Sequence, residues 1–277
     1  MKINPLQSYY LFYKRNGGNS FIKEKAGSDI IWTEEAVAIV NAILLNSGTL
    51  TDAKKNSIAE LVFNAKAHGW WDKIIGFYGL LGGTSASHAI NWKKIGTYNM
   101  IWSGTLSHSS SGTYSGGGYG YCSYYITSFP NSGALSLAFY SASNFTDKRV
   151  CGSRVAWGSD LMLSHESSYG GVRFDAFYNY DAGSSISDRS GLLVGVRDSS
   201  GYKRLFKDGA VIFSGGLGNG KIPNKQMYLL AIDGASGYIA TGVTCGFFSF
   251  GYEMSNDLVA TFSYDINAFL KSIGRKS

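Results

Sequence analysis

The chain has 277 residues, 44% of them hydrophobic and only 16% charged, enough apolar mass to fill a core and too little charge for an intrinsically disordered chain. Its net charge of +6 favours polyanionic partners such as acidic glycans, lipopolysaccharide or nucleic acid, but no run of five basic residues marks a nucleic-acid tail. The basic residues gather instead at the two ends, as Lys14, Arg15, Lys23 and Lys25 and then Lys271, Arg275 and Lys276. Three widely spaced cysteines (Cys122, Cys151, Cys245) without a CxxC argue against a disulfide framework and a zinc site, and suit a reducing cytosol.

Residues 1–31 are aromatic, basic and broken by glycine. Tyr9, Tyr10, Phe12, Tyr13, Lys14 and Arg15 form a sticky patch before Asn16-Gly17-Gly18-Asn19. This segment reads as an edge strand on the main domain or as an arm that orders against a partner chain. It has no apolar run followed by a small-residue cleavage site, so no signal peptide is expected. The longest apolar stretch, Ala36 to Leu45, is interrupted by Asn41 and is too short to span a bilayer.

A helical hairpin is expected over residues 32–73. Thr33 is the N-cap of its first helix, with Glu34 and Glu35 suited to the positive end of the helix dipole. Ala36, Val37, Val40, Ile43 and Leu44 form the apolar stripe, and Asn46-Ser47-Gly48 ends it. The second helix starts at Thr51 or Asp52, carries Ile58, Leu61, Val62 and Ala65 on one face, and closes at Gly69. Trp70-Trp71 then plugs the hairpin onto the rest of the protein.

From residue 74 the composition shifts to Gly, Ser, Tyr and Phe in short alternating runs, which helices would not tolerate. Leu135, Leu137 and Phe139 alternate with Ser136, Ala138 and Tyr140; Val172, Phe174, Ala176, Tyr178 and Tyr180 alternate with Arg173, Asp175, Phe177 and Asn179. Leu192, Val194 and Val196 repeat the pattern, as do Tyr228, Leu230 and Ile232. Period two with one apolar face predicts sheets packed on one side. Asp208-Gly209 predicts a type I′ hairpin. A last helix runs from an N-cap at Ser255 to Ile273, with Gly274 as its C′ residue. The fold expected is mainly β: an antiparallel two-sheet jelly-roll sandwich over residues 74–277, with the helical hairpin before it and a C-terminal helix over 254–274.

Chemistry is sparse in this reading. A retaining glycosidase needs two carboxyl groups about 5 Å apart, and no E-x-D-x-E-like pattern occurs. Glu166 and Glu253 sit beside loops, and Asp181, Asp188, Asp198, Asp208 and Asp233 read as turn residues. His68, His88, His108 and His165 form no close ligand pair, and no G-x-S-x-G elbow accompanies them. Asp175, Asn179, Asp181 and Asp188 lack EF-hand spacing, so neither a metal nor another cofactor is expected. The Gly-rich run Ser115 to Tyr121 is no phosphate loop, but Tyr with Gly and Ser is the composition of binding loops. Tyr119, Tyr121, Tyr124, Tyr178 and Tyr180 are the candidate ligand-binding residues; Tyr114 and Tyr125 extend the first group.

The order of these signals resembles the virion proteins of tailed bacteriophages, especially those of Bacteroidota hosts, that carry a concanavalin/laminin-G-like jelly roll. The matching features are the helix pair from Thr33 to His68, Trp70-Trp71-Asp72-Lys73-Ile74, and Gly82-Gly83-Thr84 with His88, Asn91 and Lys93. Thr105-Leu106-Ser107-His108-Ser109, Phe206-Lys207-Asp208-Gly209, Phe248-Ser249-Phe250-Gly251 and Ile273-Gly274-Arg275 follow. Residues 1–32 lie outside the resemblance, and Tyr-Gly-Tyr-Cys stands where the family tends to have small polar residues.

The resemblance implies a non-enzymatic viral structural protein: a head or tail fibre, a spike or a decoration protein, made in the host cytoplasm and displayed on the virion. The expectation is therefore a homo-oligomer bound to other virion proteins through its N-terminal arm, contacting host-surface polysaccharide during host attachment, without nucleic-acid or membrane binding. The alternatives are a lectin-like carbohydrate-binding module and a polysaccharide-degrading enzyme, for which Arg173, Tyr178, Tyr180 and His165 are the best set.

Overall fold

The structure is a computed structural model that describes residues 13–14, 20–23, 30–129, 134–145, 148–154, 160–166, 171–176, 183–184, 186–217, 223–233 and 239–276. It begins with a small antiparallel sheet of β1 (Tyr13–Lys14), β2 (Ser20–Lys23) and β3 (Ile30–Thr33). The described residues of the N-terminal segment therefore pair with one another in a sheet separate from the two main ones. β3 runs straight into α1 (Glu34–Leu45), because the Thr33 hydroxyl accepts the Ala36 N–H at 3.2 Å and caps the helix. Thr51 caps α2 (Asp52–Ala67) in the same way, and Gly69 leaves it at φ +80°.

The rest of the chain builds two antiparallel sheets. After β4 (Ile74–Tyr78) and the single-turn α3 (Ser85–His88) come β5 (Ile101–Ser103), β6 (Leu106–Ser109), β7 (Gly112–Ser115) and β8 (Tyr119–Tyr125). Next are β9 (Leu135–Ser141), β10 (Lys148–Arg154), β11 (Asp160–Glu166), β12 (Gly171–Ala176) and β13 (Gly183–Ser184). The chain continues through β14 (Gly191–Arg197), β15 (Tyr202–Lys207), β16 (Ala210–Leu217), β17 (Gln226–Leu229) and β18 (Val243–Gly251), and closes with α4 (Asn256–Ser272). One sheet has the order β13-β12-β11-β10-β17-β8-β5; the other has β16-β15-β14-β9-β18-β7-β6, with β4 also on β18. The two-sheet antiparallel sandwich with a helical hairpin and a C-terminal helix is thus the fold the sequence predicts. The hairpin turn has the positive φ angles of type I′, 49° at Asp208 and 93° at Gly209.

The sandwich has two hydrophobic layers. Between the sheets lie Cys122, Leu161, Leu163 and Phe174 from one side and Leu137, Phe139, Leu193 and Phe248 from the other. The approach is close enough that a Cβ on Gly195 would stand 2.2 Å from the Phe174 ring. On the far face of the eight-stranded sheet, Ala138, Tyr140, Leu192, Val194 and Phe247 meet Ile39, Val62 and Phe262 of α1, α2 and α4. This sheet is therefore covered on both faces, unlike the one-sided packing its alternation suggests, and every residue of β9 is buried. Trp70 fastens the layers: it stacks on Phe77 at 6.1 Å and meets Phe262 edge-on at 5.0 Å. α1, α2 and α4 all pack on the eight-stranded sheet; on the outer face of the seven-stranded sheet Met162, Arg173 and Asp175 are buried, and among the described residues the exposed part is the β5–β8 end with Ile101 and Tyr125.

Candidate functional site: a tyrosine face on the seven-stranded sheet

Side chains alternate along β8, so Cys122 and Tyr124 point into the core while Tyr119, Tyr121 and Tyr125 point outward. Tyr124 is 6% exposed and packs against Tyr98, Phe129 and Phe250, which takes it off the candidate surface. Its hydroxyl is pushed well above the usual phenol range by burial. Tyr119 and Tyr121, both half-buried, rest on Tyr228 of β17, which is 8% exposed and pairs with Tyr121 across the ladder. The three ring centroids lie 5.9–6.2 Å apart. Tyr228 was expected in phase with Leu230 and Ile232, but the core positions of β17 are Met227 and Leu229. The strand then stops because Leu230 takes φ +61°. Burial raises the Tyr228 hydroxyl above its ordinary range, and Tyr119, Asp233 and Tyr121 add to this.

Strand register extends this trio into one transverse row: Asp175, Met162, Gly152, Tyr228, Tyr121 and Ile101 stand opposite one another in succession. Gly152, at φ +142°, is buried between Met162 and Tyr228, and a Cβ there would stand 1.9 Å from the Leu161 carbonyl oxygen. Ile101 (51% exposed) and Tyr125 (43% exposed) form the open end of the face. At the other end Arg173 and Asp175 make a buried ion pair at 3.0 Å. Such a surface offers flat apolar rings with hydroxyl rims, the geometry that holds the C–H face of a sugar ring.

Other candidate residues fall elsewhere. Tyr178, Tyr180, Tyr9, Tyr10, Phe12 and Arg15 lie outside the described residues, while Tyr13 and Lys14 form β1. Asp188 is tied to Lys207 at 2.5 Å and Ser190 at 2.7 Å, and these bonds hold its carboxyl down at about 2. Of the late basic cluster only Lys271 is exposed: Arg275 is hydrogen-bonded to backbone carbonyls and Lys276 is paired with Asp208 at 2.6 Å. Asn91 brackets backbone: its Oδ1 accepts the Phe77 and Lys93 N–H groups and its Nδ2 donates to Ile75 and Thr97. Lys93 donates to the Trp71 carbonyl at 2.8 Å.

A cleft of about 580 Å3 lies at the start of α4, lined by Lys73, Asp198, Arg204, Glu253 and Ser255 among others. Both its carboxylates are engaged. Asp198 accepts from the N–H groups of Ser200 and Tyr202 and from the Ser200 hydroxyl, and Glu253 accepts the Ser199 N–H at 2.9 Å. The Asp198 carboxyl is lowered by those bonds and by Arg204 against the opposing pull of its partial burial. It is held ionised, the opposite of what a general acid requires.

No protein-family model matches this sequence, and neither does any curated protein. Solved structures do share the fold. Trypanosoma rangeli sialidase superposes with a TM-score of 0.51 at 11% identity, covering 78% of this chain and 39% of the sialidase. Domain 4 of AbnA, a GH43 extracellular arabinanase from Geobacillus stearothermophilus, gives 0.47 at 13% identity over 69% of this chain and 98% of that domain. This chain thus spans about two fifths of the length of the sialidase chains it matches. The expectation that the chain is no enzyme is corrected by the sialidase match: its fold is shared with part of a sialidase chain, so a jelly roll gives no ground for excluding catalysis.

Proposed function

We propose that this protein is a glycan-binding β-sandwich displayed on a tailed-phage particle, where the Tyr119–Tyr121–Tyr228 face stacks on sugar rings of the host surface. The observation that carries the glycan reading is the tyrosine trio, three rings from two strands brought together at the β8–β17 end of the seven-stranded sheet, with Tyr119 and Tyr121 half-buried over Tyr228. Its fold is shared with a sialidase solved with sialic acid, at 11% identity and a TM-score of 0.51. The particle reading rests on the order of motifs from Thr33 to Arg275, which resembles phage virion proteins.

On a glycan array followed by titration calorimetry, Tyr121→Ala should weaken the best ligand about tenfold, the equivalent of about 1.4 kcal/mol, with an unchanged thermal melt. Tyr125→Ala, at the open end, should have a smaller effect. Wild-type affinity in Tyr121→Ala would remove the tyrosine face from the reading, and release of reducing ends during the incubation would make the protein a hydrolase or lyase. The N-terminal segment is proposed as the attachment point to neighbouring virion proteins. Deleting residues 1–20 should abolish incorporation into particles while the rest stays folded; normal incorporation, seen by electron microscopy, would refute the arm.

A further inference from the structure

A second cavity, of about 170 Å3, opens between α2 and α4, away from the tyrosine face, and is lined by Ser57, Glu60, Asn64, Asp265, Phe269 and Ser272 among others. Asp265 is only 2% exposed. Its Oδ2 accepts the Trp70 indole N–H at 2.7 Å and contacts His68 Nδ1 at 2.8 Å. Its Oδ1 is buried with no hydrogen-bond partner among the described residues. The two serine hydroxyls give their protons to backbone carbonyls, Ser57 to Ala53 at 2.9 Å and Ser272 to Phe269 at 2.8 Å. Each of these oxygens keeps lone pairs free to accept. Glu60, exposed at the rim, adds a second carboxylate.

We infer that this cavity binds a primary alkylammonium group. The lining supplies acceptors and negative charge, which matches a group with three N–H donors and one positive charge. Phe269 supplies apolar wall for the attached methylenes, and the volume suits a stem of about four carbons. Among the described residues no cluster of three or more acids, histidines or cysteines marks a metal site, so an organic cation fits the lining better than a divalent ion.

The test is a titration of the full-length 15N-labelled protein with n-butylammonium chloride, n-butanol, tetramethylammonium chloride and sodium chloride, following the Trp70 indole N–H resonance. A saturable shift is expected with n-butylammonium alone, because the indole shares its acceptor carboxylate with the bound amine. Nα-acetyl-lysine amide against 1,4-diaminobutane then tells a protein side chain from a free diamine. Glu60→Gln should weaken binding at least tenfold, and Ala268→Leu, which fills the cavity, should abolish it. Asp265→Asn should also abolish it; if that variant fails to fold, the first two decide. No saturable shift, an equal shift with n-butanol or tetramethylammonium, or an affinity unchanged in Glu60→Gln and Ala268→Leu would each overturn the inference.

Discussion

Replacing Arg275 by alanine is expected to destabilise the fold by about 3–5 kcal/mol, seen as a fall of about 10 °C in melting temperature. All five guanidinium donors are used, and every acceptor is a backbone carbonyl. Nε and Nη2 donate to Ser110 at 3.1 and 2.8 Å, Nη1 to Gly79 and Gly246 at 2.9 and 2.5 Å, and Nη2 also to Leu80 at 2.6 Å. One side chain thus ties the end of α4 to the exit of β4, the β6–β7 turn and β18. The Arg275 carbonyl in turn accepts the Tyr140 hydroxyl at 2.5 Å. Burial pushes the guanidinium down to about 10, still charged at neutral pH. Truncation would leave several half-buried carbonyls without donors. Lysine should not rescue, because a point charge with three donors cannot reach four carbonyls set around a planar fork. Calorimetric melts of Arg275→Ala and Arg275→Lys check this; a lysine variant as stable as wild type would reduce the arginine to a simple counter-charge.

The second large effect is acid lability centred on His88. The Gly83 N–H donates to His88 Nε2 at 3.3 Å, so the ring hydrogen sits on Nδ1, 2.9 Å from Thr113 Oγ1. The Thr113 hydroxyl then donates to His108 Nδ1 at 3.2 Å. Protonating His88 would set its Nε2 hydrogen against the Gly83 N–H. Burial, with His108 and Arg275 adding positive charge, holds His88 down at about 3. Burial also lowers His108.

A histidine whose folded value lies below its unfolded one binds fewer protons when folded, so stability falls as pH falls. The contribution is whole above about pH 6.5 and gone below about pH 3, on the order of 4–5 kcal/mol in total. Urea unfolding should lose about 3 kcal/mol between pH 7 and pH 4. His88→Gln should be less stable at pH 7 but show a much flatter decline. The lowered carboxyls of Glu35, Asp188 and Asp198 act in the same direction in both proteins, so the comparison isolates the histidine. Equal slopes in the two proteins would show that the histidine chain does not set the acid limb.

Much of this architecture was legible in local sequence. Thr33, Thr51 and Ser255 cap their helices by accepting an N–H three residues on, and Gly274 ends α4 at φ +76°. Trp70 joins the helices to the sheet as its place after the hairpin suggests. The candidate site was only half legible. Tyr119 and Tyr121 stand out in the sequence because Gly and Ser around them mark a binding composition. Tyr228 was missed because Met227-Tyr228-Leu229 is apolar at every position and carries no phase of its own. Tyr124 was misplaced because a tyrosine one residue out of step in a strand looks the same in the sequence as one facing solvent. Among the histidines, His88 gave no hint that its partner was Thr113.

What the sequence by itself determined is what depends on neighbours a few residues away: helix limits, the Asp208-Gly209 turn, and the alternation that demands a sandwich. Capping bonds, turn angles and side-chain period are all local, so residue type is enough to read them. Only the tertiary structure decided which face each strand presents, that Tyr228 joins Tyr121, that Arg275 serves carbonyls of three distant segments, and that Asp265 is buried beside Trp70 and His68. Each of these follows from strand register and helix packing between residues far apart in the chain, where a shift of one position turns a side chain from core to surface.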